Sequence, residues 1–525
     1  MNKIILLLFL VFSFYACNRQ SSADKTGSEE ITGELATIPL VLIDSTALST
    51  ASTPVKSFYE VTKYTLAWSN PINRQQLLSI LDTLANHGIK IKAKELKSLV
   101  SWHNNYAHLA KDTLIEADIN YSTVYLKTAA ALYNGNLKPR RLYNDWDLDP
   151  KPIDTSTLLQ QALSNEQIAA SYDTLRPQHN NYINLRKKYA ALTTVLKATL
   201  VPFPSAQLQD TISQLGRYKN HLAFLSFYPK GSDKNDIFTD ELKQALLQFQ
   251  AAKKIERTGT LNSETIQSIK NAEQYIEKKL LTNLERWKWF PRNFSAHYIL
   301  INIPEYTVIT VSNKDTIATH RAVVGTQKRK TPILSSILTT VVVNPTWTVP
   351  PTILKNDVVP KAIKDSTYFH RQNFALYNKS TGKEVAIKDW NASNYNAYRY
   401  VQRGGAGNTL GRIKFMFQNN HAVYFHDTPS KYQFSRTQRG LSSGCIRVEF
   451  PFKMAQFIFD LQGNEITKEE LDELLASEKL RNFSAKKTPI HIHLLYWTAD
   501  VNTKGEINYH NDIYEYDDEL YKRLK

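Results

Sequence analysis

The residues of this chain that could do chemistry cluster in Arg439-Gly440-Leu441-Ser442-Ser443-Gly444-Cys445-Ile446-Arg447-Val448, which holds one of only two cysteines in 525 residues. A thiol is a weak nucleophile at neutral pH, since its unperturbed pKa is about 8.5, and it needs a base or positive potential beside it. His426 is the candidate base. It follows the apolar run 422–425, where a side chain can project from a sheet edge, and its imidazole can take the Cys445 proton and return it to a leaving amine. Ser442, Ser443 and Gly444 put no bulk beside the sulfur, so the backbone N–H groups of Gly444 and Cys445 could approach a substrate carbonyl and stabilise a tetrahedral oxyanion. Arg447 alternates with Cys445 in an extended segment, so both can face one cleft. It either holds a substrate carboxylate by paired hydrogen bonds or forms a structural ion pair, for instance with Glu449. Trp347 and Tyr424 either line the pocket or fill the core. Spacing alone leaves a buried, inert Cys445 as the alternative. His491 and His493 alternate as a metal pair would, but no carboxylate or Cys stands at a supporting spacing, so neither metal nor cofactor is assigned.

Strands must bring these groups together. The runs 298–303, 307–311, 321–324, 339–343, 413–417 and 422–425 are short, apolar and broken by Gly, Pro and Asn turns, which predicts a mostly-β domain over 291–525. Within it, 350–400 is long, polar and rich in aromatics, including Tyr395, Tyr398 and Tyr400; such an insertion reads as a lid, with a surface excursion as the alternative. Residues 58–205 read as a helical block. Leu77, Leu78, Ile80, Leu81 and Leu84 form one stripe ending at Gly88, and a second stripe from Val124 to Tyr133 stops at Asn134-Gly135. Residues 206–272 form a compact unit: Thr239 caps a helix carrying Leu242, Ala245, Leu246 and Phe249, Thr258-Gly259-Thr260 turns the chain, and Asn262 caps a helix carrying Ile266 and Ile269. A return helix over 273–290 leads into the β domain. The fold class is thus multidomain α+β.

Lys and Arg exceed Asp and Glu by 16, which favours anionic partners. No basic helix, zinc cluster or Arg-rich tail supports nucleic acid; a solvated basic surface or a carboxylate-bearing cell-wall polymer fits better. Residues 1–17 combine Lys3, an apolar run over 4–15 and Ala16-Cys17, an export signal shorter than the roughly 20 residues that span a membrane. The stretch resembles a bacterial lipoprotein signal, with Cys17 as the lipidated N-terminus and plain cleavage as the alternative. It predicts a periplasmic protein anchored to a membrane, with Cys445 as its one free thiol and 18–57 as a flexible tether.

Two resemblances follow from longer strings. Phe249-Gln250-Ala251, the turn Thr258-Gly259-Thr260-Leu261 and Thr265 resemble the three-helix peptidoglycan-binding domain of many cell-wall enzymes. His426-Asp427-Thr428-Pro429 with Ser442-Ser443-Gly444-Cys445-Ile446-Arg447-Val448 resembles the active-site signature of L,D-transpeptidases with a YkuD-type catalytic domain. Agreement with the large Gram-negative subfamily, which adds a helical scaffold and an inserted peptidoglycan-binding domain, continues through Arg286-Trp287-Lys288-Trp289, Asn344-Pro345-Thr346-Trp347, Asn408 to Phe415, Tyr496 to Ala499 and Asp512-Ile513-Tyr514. Smaller members carry His before the Gly-Cys pair and Asn two residues after the Cys; here Ser443 and Arg447 stand there, as in the large subfamily. The resemblance implies catalysis by Cys445 and His426, with a backbone carbonyl, not the Asp427 carboxylate, orienting the imidazole. Gly444 and Cys445 would provide the oxyanion contacts, and Arg447, Ser443, Tyr424 and Trp347 would contact peptidoglycan stem peptides. The implied reaction forms 3-3 cross-links through a thioester with release of D-alanine. The alternatives are an L,D-carboxypeptidase and a catalytically silent wall-binding scaffold protein.

Overall fold

The computed structural model describes residues 41–525 apart from 204, 232–234 and 465. The expected signal segment, the Cys17 anchor and the first part of the tether lie outside those residues. From 41 onward the tether expectation is overturned. Leu42 bridges to Thr65, Ser45–Leu48 forms a 3-10 turn, and the Thr53–Val61 helix follows, burying Ile43, Leu48, Val55 and Phe58 in the helical core. No element there is long enough to establish a period, which hid it from pattern reading.

That core joins the helices Pro71–Leu84, Ala93–Asn105, Lys111–Asn134, Thr155–Ser164 and Ile168–Asp173. Gly88 (φ +71°) and Gly135 (φ +87°) end two of these stretches in conformations that glycine tolerates. The block is not purely helical. Trp146–Asp147 forms a strand paired in parallel with Ile333–Leu334 of the β domain. The Asn180–Leu196 helix, expected within the scaffold, buries Tyr182, Leu185, Tyr189 and Leu192 in the core of the β domain.

A separate core runs from Leu200 to Ile269 and includes Leu215, Leu222, Phe238, Leu246, Phe249 and Ile266. Thr239 Oγ1 accepts from the Leu242 N–H (3.3 Å), and Asn262 Oδ1 accepts from the Thr265 N–H (2.8 Å), so both caps lie at the expected positions. Gln250, fully buried, ties the turn between them: Nε2 donates to Thr258 Oγ1 and the Thr260 carbonyl, and Oε1 accepts from the Gly259 N–H. The expected boundary at 272/273 falls inside one continuous helix, Ser263–Trp289. Its 27 residues contain neither Gly nor Pro, so nothing interrupts it. Ile266 and Ile269 belong to the small core, whereas Ile276, Leu280, Leu284 and Trp287 belong to the β domain.

The β domain closes into a ring. Ile333–Val343 is followed around it by Ile413–Phe417, Phe425–His426, Ile446–Val448, Asp315–Gly325, Thr307–Ser312, His297–Asn302 and His491–Leu495, which pairs back onto Ile333–Val343. Alternating residues such as Ile413, Phe415 and Phe417 fill the interior. Beside it, Asp517 of the Asp517–Leu524 helix accepts from Arg286 Nη1 (2.6 Å) and Lys279 Nζ (2.7 Å), and Trp287 stacks on Trp497 with ring centroids 3.8 Å apart. The Arg286-to-Trp289 string is therefore the junction between long helix and barrel.

The insertion is a small α+β subdomain. Its sheet runs Trp347–Thr348, Tyr398–Gln402, Phe374–Asn378, Glu384–Val385, and its own core holds Leu354, Val358, Phe369, Leu376 and Tyr400, so pairing extends it past the expected limits of 350 and 400. Among the described residues no helix is long and apolar enough to cross a membrane.

Candidate active site

Strand register assembles the site. Phe425–His426 and Ile446–Val448 pair in parallel, Phe425 opposite Ile446 and His426 opposite Arg447. Phe425 and Ile446 are fully buried in the barrel. Side chains alternate across a strand, so His426 and Arg447 face the other way, as do Tyr424 and Cys445 one step earlier on each chain. On the other side of His426 the register partner is Lys414. A cavity of about 370 Å³ over this face is lined by Cys445, His426, Tyr424, Trp347, Ser443 and Arg447. Six of the seven residues named from sequence thus line one cavity. Gly444 is absent from the lining.

Gly444 lies at φ +115°, and a Cβ there would come within 3.2 Å of the Lys330 carbonyl oxygen. Its N–H donates to Ser442 Oγ (3.1 Å), its carbonyl accepts from Thr331 Oγ1 (2.8 Å), and Ser442 Oγ donates to the Cys445 carbonyl (2.6 Å). The Gly444 N–H is therefore committed to Ser442, which corrects its expected role as an open oxyanion donor. The Cys445 N–H has no partner among the described residues.

The thiol sits 3.9 Å from the Ala422 carbonyl and is not hydrogen-bonded to His426, its diagonal neighbour. Burial pushes the Cys445 thiol up. Hydrogen bonds from Tyr424 and the charges of Arg447 and Lys414 act in the opposite direction. His426 Nδ1 lies 2.5 Å from the Asp427 carbonyl. A carbonyl only accepts, so Nδ1 carries the proton and Nε2 is the basic nitrogen. Burial lowers the imidazole to about 3, with Arg447 adding to the effect and the Asp427 and Leu410 carbonyls opposing it. Both shifts favour the neutral forms, thiol and imidazole. The Asp427 carboxylate is engaged elsewhere, accepting from the Arg412 N–H (2.9 Å) and pairing with Lys431.

The suggested Arg447–Glu449 ion pair is not formed. Glu449 pairs with Arg321 (2.5 Å) of the neighbouring strand, whereas Arg447 Nη1 donates to Gln433 Oε1 (2.5 Å). Arg447 makes no ion pair with any described residue, leaving its charge directed at the cavity.

Three groups escaped the sequence reading. Lys414 holds its Nζ 5.5 Å from the centre of the Tyr424 ring, and burial lowers its pKa while Cys445 raises it. Alternation with Ile413 and Phe415 could have indicated its face, but not the strand it meets. Arg329 Nη1 donates to Ser443 Oγ (2.9 Å) and to Asp357 (2.5 Å) of the inserted subdomain, joining that subdomain to the thiol loop. His421 also lines the cavity. His493, by contrast, lies across the barrel with Nδ1 2.9 Å from Ser335 Oγ. A larger cavity of about 740 Å³, between the Asn180–Leu196 and Leu215–Phe224 helices and residues 501–505, is lined by neither a cysteine nor a histidine.

The site lies within a stretch that matches a known family model. Residues 296–473 match the family model of the L,D-transpeptidase catalytic domain (YkuD), and residues 53–188 match that of a scaffold domain. A Haemophilus influenzae protein named "Putative L,D-transpeptidase" is 33% identical over 267 residues, or 50% of this chain and 53% of that protein, so the match spans about half its length. L,D-transpeptidase structures from Xylanimonas cellulosilytica (12% identity, 57% of this chain and 100% of that one, TM-score 0.16) and Stackebrandtia nassauensis (9%, 57% and 98%, 0.16) also align, at TM-scores too low to carry an argument. The chain is thus similar to L,D-transpeptidases over the stretch that carries the site, with a scaffold-domain match ahead of it.

Proposed function

We propose that this chain is a peptidoglycan L,D-transpeptidase that forms 3-3 cross-links through a thioester on Cys445. The observation that supports it most is the shared face of Cys445, His426 and Arg447, which line one cavity. Cys445 Sγ attacks the carbonyl of the third stem residue as its proton passes to His426 Nε2. Because burial favours the neutral form of both partners, proton transfer accompanies attack and no stored thiolate is required. The oxyanion meets the Cys445 N–H, and Arg447 holds a stem carboxylate while Tyr424, Trp347 and Ser443 bound the pocket. His426 then protonates the departing D-alanine amine. An amine from a neighbouring stem takes the acyl group; water in its place makes the chain an L,D-carboxypeptidase.

The reading extends to a periplasmic chain exported by its N-terminal signal and anchored through Cys17, with the small helical module on the wall polymer. Mass spectrometry after incubation with a disaccharide tetrapeptide tests the chemistry. An adduct on Cys445, lost in Cys445→Ala, is expected; an unmodified thiol under turnover conditions would refute it. The ratio of cross-linked dimer to tripeptide separates transferase from hydrolase.

A further inference from the structure

His421 reaches the thiol cavity through an irregular turn. Asn419 Oδ1 accepts from the N–H groups of His421 (3.0 Å) and Val423 (3.1 Å), and Ala422 between them has φ +53°, the left-handed region that a residue with a Cβ seldom enters. The turn interrupts strand alternation just before Tyr424. It places the Ala422 carbonyl beside the sulfur and brings His421 into the cavity wall. His421 Nε2 lies 3.5 Å from Asp147 Oδ2, and both side chains are mostly covered, at 27% and 20% exposure. Asp147 belongs to the strand that the scaffold contributes to the barrel, where it also pairs with Arg140. The cavity therefore has two imidazoles. One is oriented by the carbonyl of its neighbour, the other faces a carboxylate delivered from the scaffold.

The geometry points to His421, positioned by Asp147, as a second catalytic base that deprotonates the acceptor amine. This rests on the transferase reading. Proton accounting calls for such a group. An alkylamine acceptor arrives as an ammonium and must lose one proton before its nitrogen can attack, and a second once the C–N bond has formed. The thiolate expelled when the C–S bond breaks takes back only one. His426 receives the second proton and passes it to the sulfur. His421 takes the first, and Asp147 stabilises the resulting imidazolium before the proton leaves to solvent. Nitrogen supplies the electron pair of the new amide and sulfur departs with that of the thioester, so the exchange balances.

Two nucleophiles separate this role from a structural one. His421→Gln and Asp147→Asn are loaded as the Cys445 acyl-enzyme and offered either an alkylamine stem acceptor or hydroxylamine, which is already unprotonated at neutral pH. His421→Gln is expected to load normally and to transfer to the alkylamine about 100-fold more slowly, at the lower end of general-base effects. Transfer to hydroxylamine stays within about twofold, and Asp147→Asn follows the same selective pattern with a smaller loss. Equal loss with both nucleophiles, no loss with either, or failure of His421→Gln to load would overturn the assignment. In the unaltered chain, absence of the adduct would instead sink the proposed reaction and this inference with it.

Discussion

Replacing Gly444 by Ala tests how the thiol loop is held. At φ +115° a Cβ is strained irrespective of space, and here it would also press on the Lys330 carbonyl at 3.2 Å. Such conformations cost on the order of 1–3 kcal/mol. The easiest relief is a rotation of the peptide between Gly444 and Cys445, which would break Gly444 N–H to Ser442 or Thr331 to the Gly444 carbonyl and redirect the Cys445 N–H. Losing one oxyanion donor typically costs about 10²–10³ in rate. Gly444→Ala should therefore slow acylation of Cys445 about 100-fold or more, measured by single-turnover mass spectrometry. Alkylation by iodoacetamide, which develops no oxyanion, should change by less than about fivefold on this argument. Acylation within threefold of the unaltered chain would refute the reasoning, as would an equal drop in both reactions.

Asp517→Asn leaves Arg286 and Lys279 buried around a neutral amide and should cost about 3–5 kcal/mol in urea unfolding, with a cost below about 1 kcal/mol counting against it. Burial holds His426 and His493 near pKa 3, against 6.5 in the unfolded chain, so the unfolded state binds more protons in that window. Stability is then fullest above pH 6.5 and declines as pH falls toward 3; a constant urea midpoint between pH 7 and pH 4 would contradict this. Lys414→Met removes a cation that lowers the Cys445 thiol pKa, so the pH profile of its alkylation should move upward, and a profile unchanged or moved down excludes that role.

The elements with sharp punctuation were legible in the sequence. Thr239 and Asn262 cap where capping chemistry requires, and alternation around Ile413 and Phe415 marks a strand. Cys445 and His426 could be singled out because only one thiol stands among small residues with an imidazole ending a nearby apolar run. What remained hidden depends on register between distant strands. That Lys414 meets His426, that Arg321 takes Glu449 from Arg447, and that Asp147 approaches His421 are long-range pairings that no local pattern encodes. The Gly444 N–H was misjudged for a shorter-range reason, since the Ser442 hydroxyl two residues back competes for it.

The unbroken Ser263–Trp289 helix has a mechanical consequence. At about 1.5 Å per residue it is a rod of roughly 40 Å, set in the small module at one end and locked by the Arg286–Asp517 pair at the other. A rod without a hinge does not absorb load. Tension or twist applied to the module is carried along the axis to the Asp517–Leu524 helix and the barrel wall, so the module is coupled to the barrel as a lever arm and not as a trailing tether.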